Sequence, residues 1–325
     1  MISKQWVLSM VCAAGMFIPS AAAFGQRLSG KVTVDGSSTV YPITEAVAEE
    51  FNKEHGRVRV TVGISGTGGG FKRFANGETD ISDASRPIKK SEADPARSNG
   101  VEFIEIPVAY DGLTVVVNKQ NTWAKTLTVD QLKKIFLEGG AKTWKDVDPS
   151  FPAEPIKVYA PGTDSGTFDY FKEVVVEKGS FRPDASVSED DNVLVRGVAG
   201  DKGAIGFFGC AYYFENKDKI NAVAVVNDAG KAILPNPQTI EDGSYNPLSR
   251  PLFIYVSKKS AERPEVDAFV KFYLQHTAKL SAEVGYVPLP QAVYTKARAK
   301  YEGRKTGSAY MVDGKEVKGP ITKVY

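Results

Sequence analysis

The chain has 325 residues, of which 42% are hydrophobic and 25% are charged, and its formal net charge is +2. This composition argues against wholesale disorder, and near-neutral charge with scattered basic residues gives no support to nucleic-acid or membrane-surface binding. The sequence has only two histidines and two cysteines, which argues against a zinc or di-metal hydrolytic centre.

The first 23 residues have the pattern of a secretory signal peptide. Lys4 precedes an apolar stretch at residues 6–18, and three alanines at residues 21–23 follow. A charged start, a short apolar centre and an A-x-A ending are typical of a cleaved signal, whereas a membrane span needs about 20 apolar residues. We therefore expect cleavage near Ala23 and a soluble exported protein; the alternative is an uncleaved anchor.

Short β-branched runs alternate with helical patterns along the rest of the chain. The predicted strands lie at residues 32–34, 58–64, 80–84, 101–107, 113–118, 156–160, 204–208 and 252–256. The predicted helices lie at residues 43–54, 71–76, 128–137, 167–177, 190–199 and 265–275. This alternation predicts an α/β fold with a largely parallel sheet. The polar tail from Gly303 onwards is expected to be a packed arm or partly frayed.

Three segments share one pattern, in which a strand leads into a turn of Ser, Thr and Gly and then into a helix. They lie at residues 35–42, 64–71 and 160–168. The first turn of a helix has free N–H groups and a partial positive charge that attract anions, while glycine allows close approach and hydroxyls add donors. Each segment alone is more simply a capped helix, but three in one chain indicate a shared anionic ligand. None has the P-loop lysine or the G-x-S-x-G of a serine hydrolase.

A fourth segment at residues 80–87 adds charged groups. Arg86 can make a planar, bidentate contact with a tetrahedral oxyanion; the alternative is a surface arginine before a proline. Asp83 would accept a hydrogen bond from a ligand that carries a proton, as phosphate does near neutral pH. Asp164 has the same capacity, and either residue is equally suited to cap a helix.

Together the four segments resemble the periplasmic phosphate-binding proteins of bacterial phosphate ABC importers. The resemblance rests on GSSTVYP at 36–42, SGTGG at 65–69, SDASRP at 82–87, GTDSGTF at 162–168 and GAIGF at 203–207. It implies a two-lobed type II solute-binding fold, with each lobe a mixed, mostly parallel sheet flanked by helices. It also implies a monomer that closes on one phosphate ion and delivers it to a membrane permease, without cofactor, metal or catalytic activity.

Carried over position by position, the resemblance implies a set of phosphate-binding residues. These are Ser38, Thr39 and Val40 at the first helix, Thr67 (or Ser65) in the second loop, and Ser165, Gly166 and Thr167 at the third helix. Two departures affect the set. One branch of the family has an arginine where this chain has Pro161, and its proton-accepting aspartate stands where this chain has Ser85. Arg86 is therefore expected to replace the missing arginine, with Ser85 as a further phosphate-binding residue beside it. Asp83, Asp164 or another residue is expected to accept the proton.

The resemblance further implies that the chain crosses between the lobes twice, and we place the crossings near residues 107–112 and 249–252. Residues 24–107 and 251–325 then form lobe 1 and residues 108–250 form lobe 2, after the signal peptide at 1–23. Two other functions stay open. One is capture of a different ligand, such as sulfate, molybdate or an organophosphate. The other is an exported phosphatase, for which neither a nucleophile with its base nor paired metals is evident.

Overall fold

The computed structural model describes residues 28–163, 165–188 and 190–325. The predicted signal peptide, its cleavage near Ala23 and the candidate acceptor Asp164 lie outside the described residues. Among the helices of the described ranges, none combines the length and the apolar character needed to cross a membrane.

Over these residues the strands are β1 Gly30–Gly36, β2 Val58–Ile64, β3 Ile81–Ala84, β4 Phe103–Asn118, β5 Thr126–Leu127, β6 Lys157–Pro161, β7 Ser186–Ser188, β8 Ala204–Gly209, β9 Ile220–Ala222, β10 Ala224–Val226, β11 Ala232–Ile233, β12 Ser249–Ser257, β13 Met311–Val312 and β14 Lys315–Glu316. The α-helices are α1 Tyr41–Glu54, α2 Gly66–Ala75, α3 Lys90–Ser98, α4 Val129–Phe136, α5 Trp144–Val147, α6 Gly166–Phe171, α7 Asp191–Gly200, α8 Cys210–Glu215, α9 Pro237–Glu241, α10 Pro264–Glu283, α11 Gln291–Glu302 and α12 Ile321–Val324. A π-helical turn, Lys172–Val176, continues α6, and a 3₁₀ turn, Ser260–Glu262, precedes α10.

One long strand, β4, joins two halves of a mixed sheet. Its residues 103–112 pair antiparallel with β12, and its residues 113–118 pair antiparallel with β8 and β9. The first half-sheet has the order β2-β1-β3-β12-β4 and the second the order β4-β8-β6-β7. Parallel pairings form the outer part of each half. We use the name lobe 1 for the first half-sheet with the helices packed on it, and lobe 2 for the second half-sheet with its helices.

The sequence predicts two strands where the structure has the single strand β4. Tyr110, Asp111 and Gly112 interrupt the β-branched pattern, so residues 101–107 and 113–118 are predicted as separate elements. In the structure these three residues are buried and pair with β12. Their backbone groups therefore stay in the ladder, which meets the requirement that buried N–H and C=O groups be hydrogen-bonded.

Both faces of the first half-sheet are covered by helices. Ile104 and Ile106 of β4 pack in one apolar cluster with α1 and α10, whereas Phe103 packs in another with Phe71 of α2. Side chains of a strand alternate between the two faces of its sheet, so the two clusters lie on opposite faces. A sheet buried on both faces shows near-continuous apolar runs, which is why periodicity alone does not tell which face a residue takes.

The C-terminal tail is a packed arm on lobe 1. Glu105 of β4 is fully buried, and its carboxylate accepts hydrogen bonds from the N–H of Ala309 at 2.8 Å and from the hydroxyl of Tyr255 at 2.8 Å. The hydroxyl of Tyr325 donates to the Glu105 carbonyl at 3.0 Å. Because a buried carboxylate needs several donors, these bonds fix the tail against β4.

Candidate functional site

A cavity of about 260 Å³ lies where the two lobes meet. It is lined by Ser37, Ser38, Thr39, Gly66, Thr67, Gly68, Ser85, Arg86, Asp169, Tyr170, Glu173 and Arg250. A larger cavity of about 490 Å³ lies between α3 and the C-terminal tail, but none of the predicted site residues lines it in the described structure. The chemistry that the sequence indicates therefore converges on the smaller cavity.

The first turn leads from β1 into α1. At Gly36 a Cβ atom would lie 2.2 Å from the carbonyl oxygen of Asp83, so only glycine allows this close approach between strands. The N–H of Thr39 donates to the Ser37 hydroxyl at 3.2 Å, and the N–H of Val40 donates to the Ser37 carbonyl at 3.2 Å. These bonds hold the turn at the cavity wall, where Thr39 presents its hydroxyl.

The second turn and the end of β3 bring two hydroxyls together. The Thr67 and Ser85 side chains lie 3.0 Å apart, oxygen to oxygen, and the N–H of Ser85 donates to the Thr67 hydroxyl at 3.1 Å. Ser65 instead donates to the carboxylate of Asp35 at 2.5 Å. Of the two hydroxyls that the sequence offers in this loop, Thr67 therefore lines the cavity.

The third turn touches the first turn across the cleft. The Ser165 hydroxyl caps α6 by accepting the N–H of Thr167 at 3.2 Å. A Cβ atom at Gly166 would lie 2.6 Å from the Cα of Thr39, and the Thr39 hydroxyl donates to the Gly166 carbonyl at 3.4 Å. Of the predicted trio at 165–167, Gly166 thus touches the first turn across the cleft, while Asp169, Tyr170 and Glu173 in the following turns line the cavity.

Arg86 lines the cavity, but a neighbouring carboxylate already occupies its planar fork. Its two terminal nitrogens donate to the two carboxylate oxygens of Glu92 at 2.8 Å each. Its guanidinium carbon lies 5.7 Å from the ring centroid of Phe71. The hydrogen bond to Glu92 raises the pKa of Arg86 above its already high ordinary value, so the guanidinium stays charged.

A second arginine, Arg250 on β12, lines the cavity and was missed by the sequence interpretation. Its Nη2 donates to the Thr39 hydroxyl at 3.1 Å, and its Nε donates to Asp111 at 3.4 Å. The guanidinium carbon lies 3.6 Å from the ring centroid of Tyr170, and Nη1 lies 3.5 Å from a carboxylate oxygen of Glu173. This one side chain therefore contacts both lobes.

The carboxylates at the cavity differ from those predicted. Asp83 is buried and is not among the residues that line the cavity; it lies near Thr44 of α1 and Tyr273 of α10. Burial raises its pKa to about 8. Within the described ranges the carboxylates that line the cavity are Asp169 and Glu173. The Ser38 hydroxyl donates to Asp169 at 3.5 Å across the cleft. Asp169 and Glu173 are four residues apart in a predicted helix, and residues i and i+4 lie on the same helix face. This spacing was the sequence signal for the pair.

The described residues contain no cluster of His, Cys, Asp and Glu that could hold a metal ion. Hydroxyl and guanidinium groups at the cavity can donate hydrogen bonds to an anion. The carboxylates can accept a hydrogen bond from an anion that carries a proton. These are the parts of a binding site for a protonated oxyanion.

Residues 21–277 match a family model described as the PBP superfamily domain. SphX of Synechococcus elongatus is 53% identical over 307 residues, covering 94% of this chain and 90% of that protein. The phosphate-binding protein PstS of Staphylococcus saprophyticus is 42% identical over 306 residues, covering 92% and 95%. The chain belongs to the PstS-like family of the PBP superfamily. The resemblance drawn from the sequence motifs is thereby confirmed.

Solved structures in this family share the fold. A possible phosphate-binding protein from Planctomyces limnophilus superposes with a TM-score of 0.83 at 45% identity, covering 86% of this chain and 99% of that chain. An ABC-type phosphate transport receptor from Vibrio cholerae gives a TM-score of 0.62 at 28% identity, covering 80% and 100%. The predicted two-lobed solute-binding fold is confirmed.

Proposed function

We propose that the chain binds inorganic phosphate in the cleft between its lobes and delivers it to the membrane permease of an ABC importer. The observation that carries this proposal is the convergence of three hydroxyls, from Thr39, Thr67 and Ser85, and of two arginines on one cavity. The PstS and SphX relatives support phosphate as the ion. So does a related structure from Clostridium perfringens with bound phosphate, at 26% identity and a TM-score of 0.53.

The proposed contacts come from both lobes. Lobe 1 contributes Ser38, Thr39, Val40, Thr67 and Ser85, lobe 2 contributes Ser165, Gly166 and Thr167, and one of the two lining arginines, Arg86 or Arg250, supplies the positive charge. Several of these donors are now paired within the protein, and phosphate oxygens would replace those partners. Because one ion bonds to both walls, it stabilises the closed arrangement over an open one.

The proposed lobes are residues 24–107 with 251–325, and residues 108–250. Support comes from β4, whose partner changes from β12 to β8 between Gly112 and Leu113. The second crossing is proposed at residues 249–252, where β12 begins. The two proposed crossings are paired through Arg250 and Asp111, and Arg250 lines the cavity.

The charges at the cavity favour an anion that carries a proton. The cavity is lined by two arginines, Arg86 and Arg250, and by two carboxylates, Asp169 and Glu173. A fully deprotonated oxyanion would be repelled by these carboxylates, whereas protonated phosphate donates a hydrogen bond to one of them. Asp169 is the acceptor that we propose among the lining residues; Asp83 and Asp164 stay predictions.

We further propose that the protein acts as a periplasmic monomer after cleavage near Ala23 and catalyses no reaction. Calorimetric titration of the mature protein with phosphate, sulfate and arsenate tests the binding. We expect one phosphate per chain at micromolar or tighter affinity and sulfate binding at least about 100-fold weaker. No heat with phosphate would contradict the proposal, as would hydrolysis of a chromogenic phosphate ester by the pure protein.

A further inference from the structure

We infer that Arg250, and not Arg86, is the guanidinium that pairs with the bound oxyanion. This assignment rests on the proposed function and names the charged group that meets the ion. It replaces the expectation that Arg86 takes over the part of the arginine missing at residue 161. The two arginines line the same cavity, so the choice between them depends on what already holds each one.

The guanidinium of Arg86 is already paired with a carboxylate of α3. Glu92 accepts two hydrogen bonds from its guanidinium at 2.8 Å each, which is the bidentate geometry that an oxyanion would need. Glu92 is itself fixed, because it also accepts the backbone N–H of Lys89 at 2.9 Å at the start of α3. An anion that engaged this fork would have to break the pair and bring its own charge beside Glu92.

Two contacts hold the side chain of Arg250 in place, and its terminal nitrogens face the cavity. Its Nε donates to the fully buried Asp111, and its plane stacks on Tyr170. These contacts leave the terminal nitrogens beside the Thr39 hydroxyl and the carboxylate of Glu173. The Glu173 side chain is 67% exposed and lies 3.5 Å away, which makes it a weak partner that a bound ion can displace.

Because Arg250 is more buried than Arg86, an ion interacts more strongly with Arg250. Its side chain is 13% exposed, compared with 27% for Arg86. Charge-assisted hydrogen bonds strengthen as water is excluded, and a guanidinium has five N–H donors. Arg250 can therefore give Nη donors to two oxygens of a tetrahedral ion while its Nε stays on Asp111.

The position of Arg250 in the chain adds a coupling between binding and closure. It stands on β12 where the second crossing is proposed, and Asp111 stands on β4 at the first. Through Thr39 and Tyr170 it touches both walls. An ion bound to Arg250 thus lies beside the two segments that connect the lobes, and it contacts both walls when the cleft closes.

The test compares Arg250→Met with the matched variant Arg86→Met by calorimetric titration with phosphate. We expect Arg250→Met to weaken binding roughly 10- to 100-fold and Arg86→Met to change it less than about threefold. The opposite order, or an equal loss in both, overturns the assignment. The wild-type titration decides the proposed function separately: if the wild type binds sulfate or molybdate instead, the same variants are compared with that ion.

A variant that keeps the positive charge distinguishes a loss of phosphate binding from a loss of folding. Arg250→Lys retains the cation but loses the planar fork, so it should melt near the wild-type temperature and still bind phosphate roughly five- to tenfold more weakly. If this folded variant binds phosphate as tightly as the wild type, Arg250 does not form the bidentate contact and the inference fails.

Discussion

The lobe 1 wall and the lobe 2 wall of the cleft differ in how well hydrogen bonds hold their side chains in place. On the lobe 1 wall, Thr39 accepts a hydrogen bond from Tyr286 at 2.6 Å through its carbonyl and one from Arg250 at 3.1 Å through its hydroxyl. Thr67 and Ser85 are bonded to each other on the same wall. These donors are oriented before any ion arrives, and preorganised donors bind an ion with little loss of conformational freedom.

The lobe 2 wall is shorter and more exposed. It consists of the six-residue helix α6 and a π-helical turn, and Asp169 and Glu173 on it are exposed. A π-helical turn is uncommon and is found frequently at functional sites. From this contrast we expect lobe 1 to supply preorganised donors and lobe 2 to supply the part of the proposed site that adjusts to the ion.

The largest effect is expected where the walls touch. Gly166→Ala places a methyl group 2.6 Å from the backbone of Thr39, which cannot yield, so the walls must separate. We predict that phosphate affinity falls about 100-fold, measured by calorimetry. Gly200→Ala is the control, because its methyl group meets nothing within 4 Å. Unchanged affinity in Gly166→Ala would show that wall contact is not needed.

A smaller effect is expected from the hydroxyl on the fixed wall. Thr39→Val keeps the shape of the side chain but removes the oxygen that bonds to Arg250 and to the Gly166 carbonyl. We predict binding weaker by about tenfold. Thr277→Val removes a buried hydroxyl bonded to the Val108 carbonyl, elsewhere in lobe 1, and should lower the melting temperature with little change in affinity. Equal losses of affinity would argue against a local role for Thr39.

The coupled hydroxyls should give a still smaller and non-additive loss. Thr67→Val and Ser85→Ala are each predicted to weaken phosphate binding roughly threefold to tenfold, and the double variant less than the product, because the two side chains are bonded. Ser65→Ala should leave affinity within about twofold of wild type, since its hydroxyl serves Asp35. A larger loss for Ser65→Ala than for Thr67→Val would reverse the choice between them.

The smallest effect on affinity is expected at Asp83, which backs the fixed wall. Its folded pKa of about 8 lies above the ordinary 3.8, so the folded protein binds more protons than the unfolded one between these values. Its contribution to the free energy of unfolding is therefore present at low pH and is lost as the pH rises towards 8.

Asp83→Asn removes this pH dependence. The stability of the variant relative to wild type should increase from pH 5 to pH 8, by at most about 1.4 kcal/mol per pH unit, measured by denaturant unfolding. Phosphate affinity should not change. A large loss of affinity would instead return Asp83 to the site as the proton acceptor.

The local features of the site follow from sequence, because each depends on neighbours within a few residues. A helix was predicted at residues 128–137, and Thr128 caps it by accepting the N–H of Gln131 at 3.1 Å. The three Ser/Thr/Gly turns lie at the ends of β1, β2 and β6, as the strand–turn–helix pattern predicts. Thr67 and Ser85 are only 18 residues apart in sequence, and both were predicted.

The features that were missed depend on distant contacts or on strand direction. Arg250 meets Thr39 across 211 residues, and no local pattern marks that contact. Residues 81–84 are all buried, so the pattern does not tell that Asp83 turns from the cavity. The Glu92 carboxylate was not considered as a partner for Arg86, although it lies only six residues away.

The most direct test of the account is a crystal structure of the mature protein with phosphate. We predict one ion in the cavity between the lobes, within hydrogen-bond distance of the hydroxyls of Thr39, Thr67 and Ser85 and of the terminal nitrogens of Arg250, with the Arg86–Glu92 pair intact. Phosphate bound at another place, or bound to Arg86 after release of Glu92, would contradict the account.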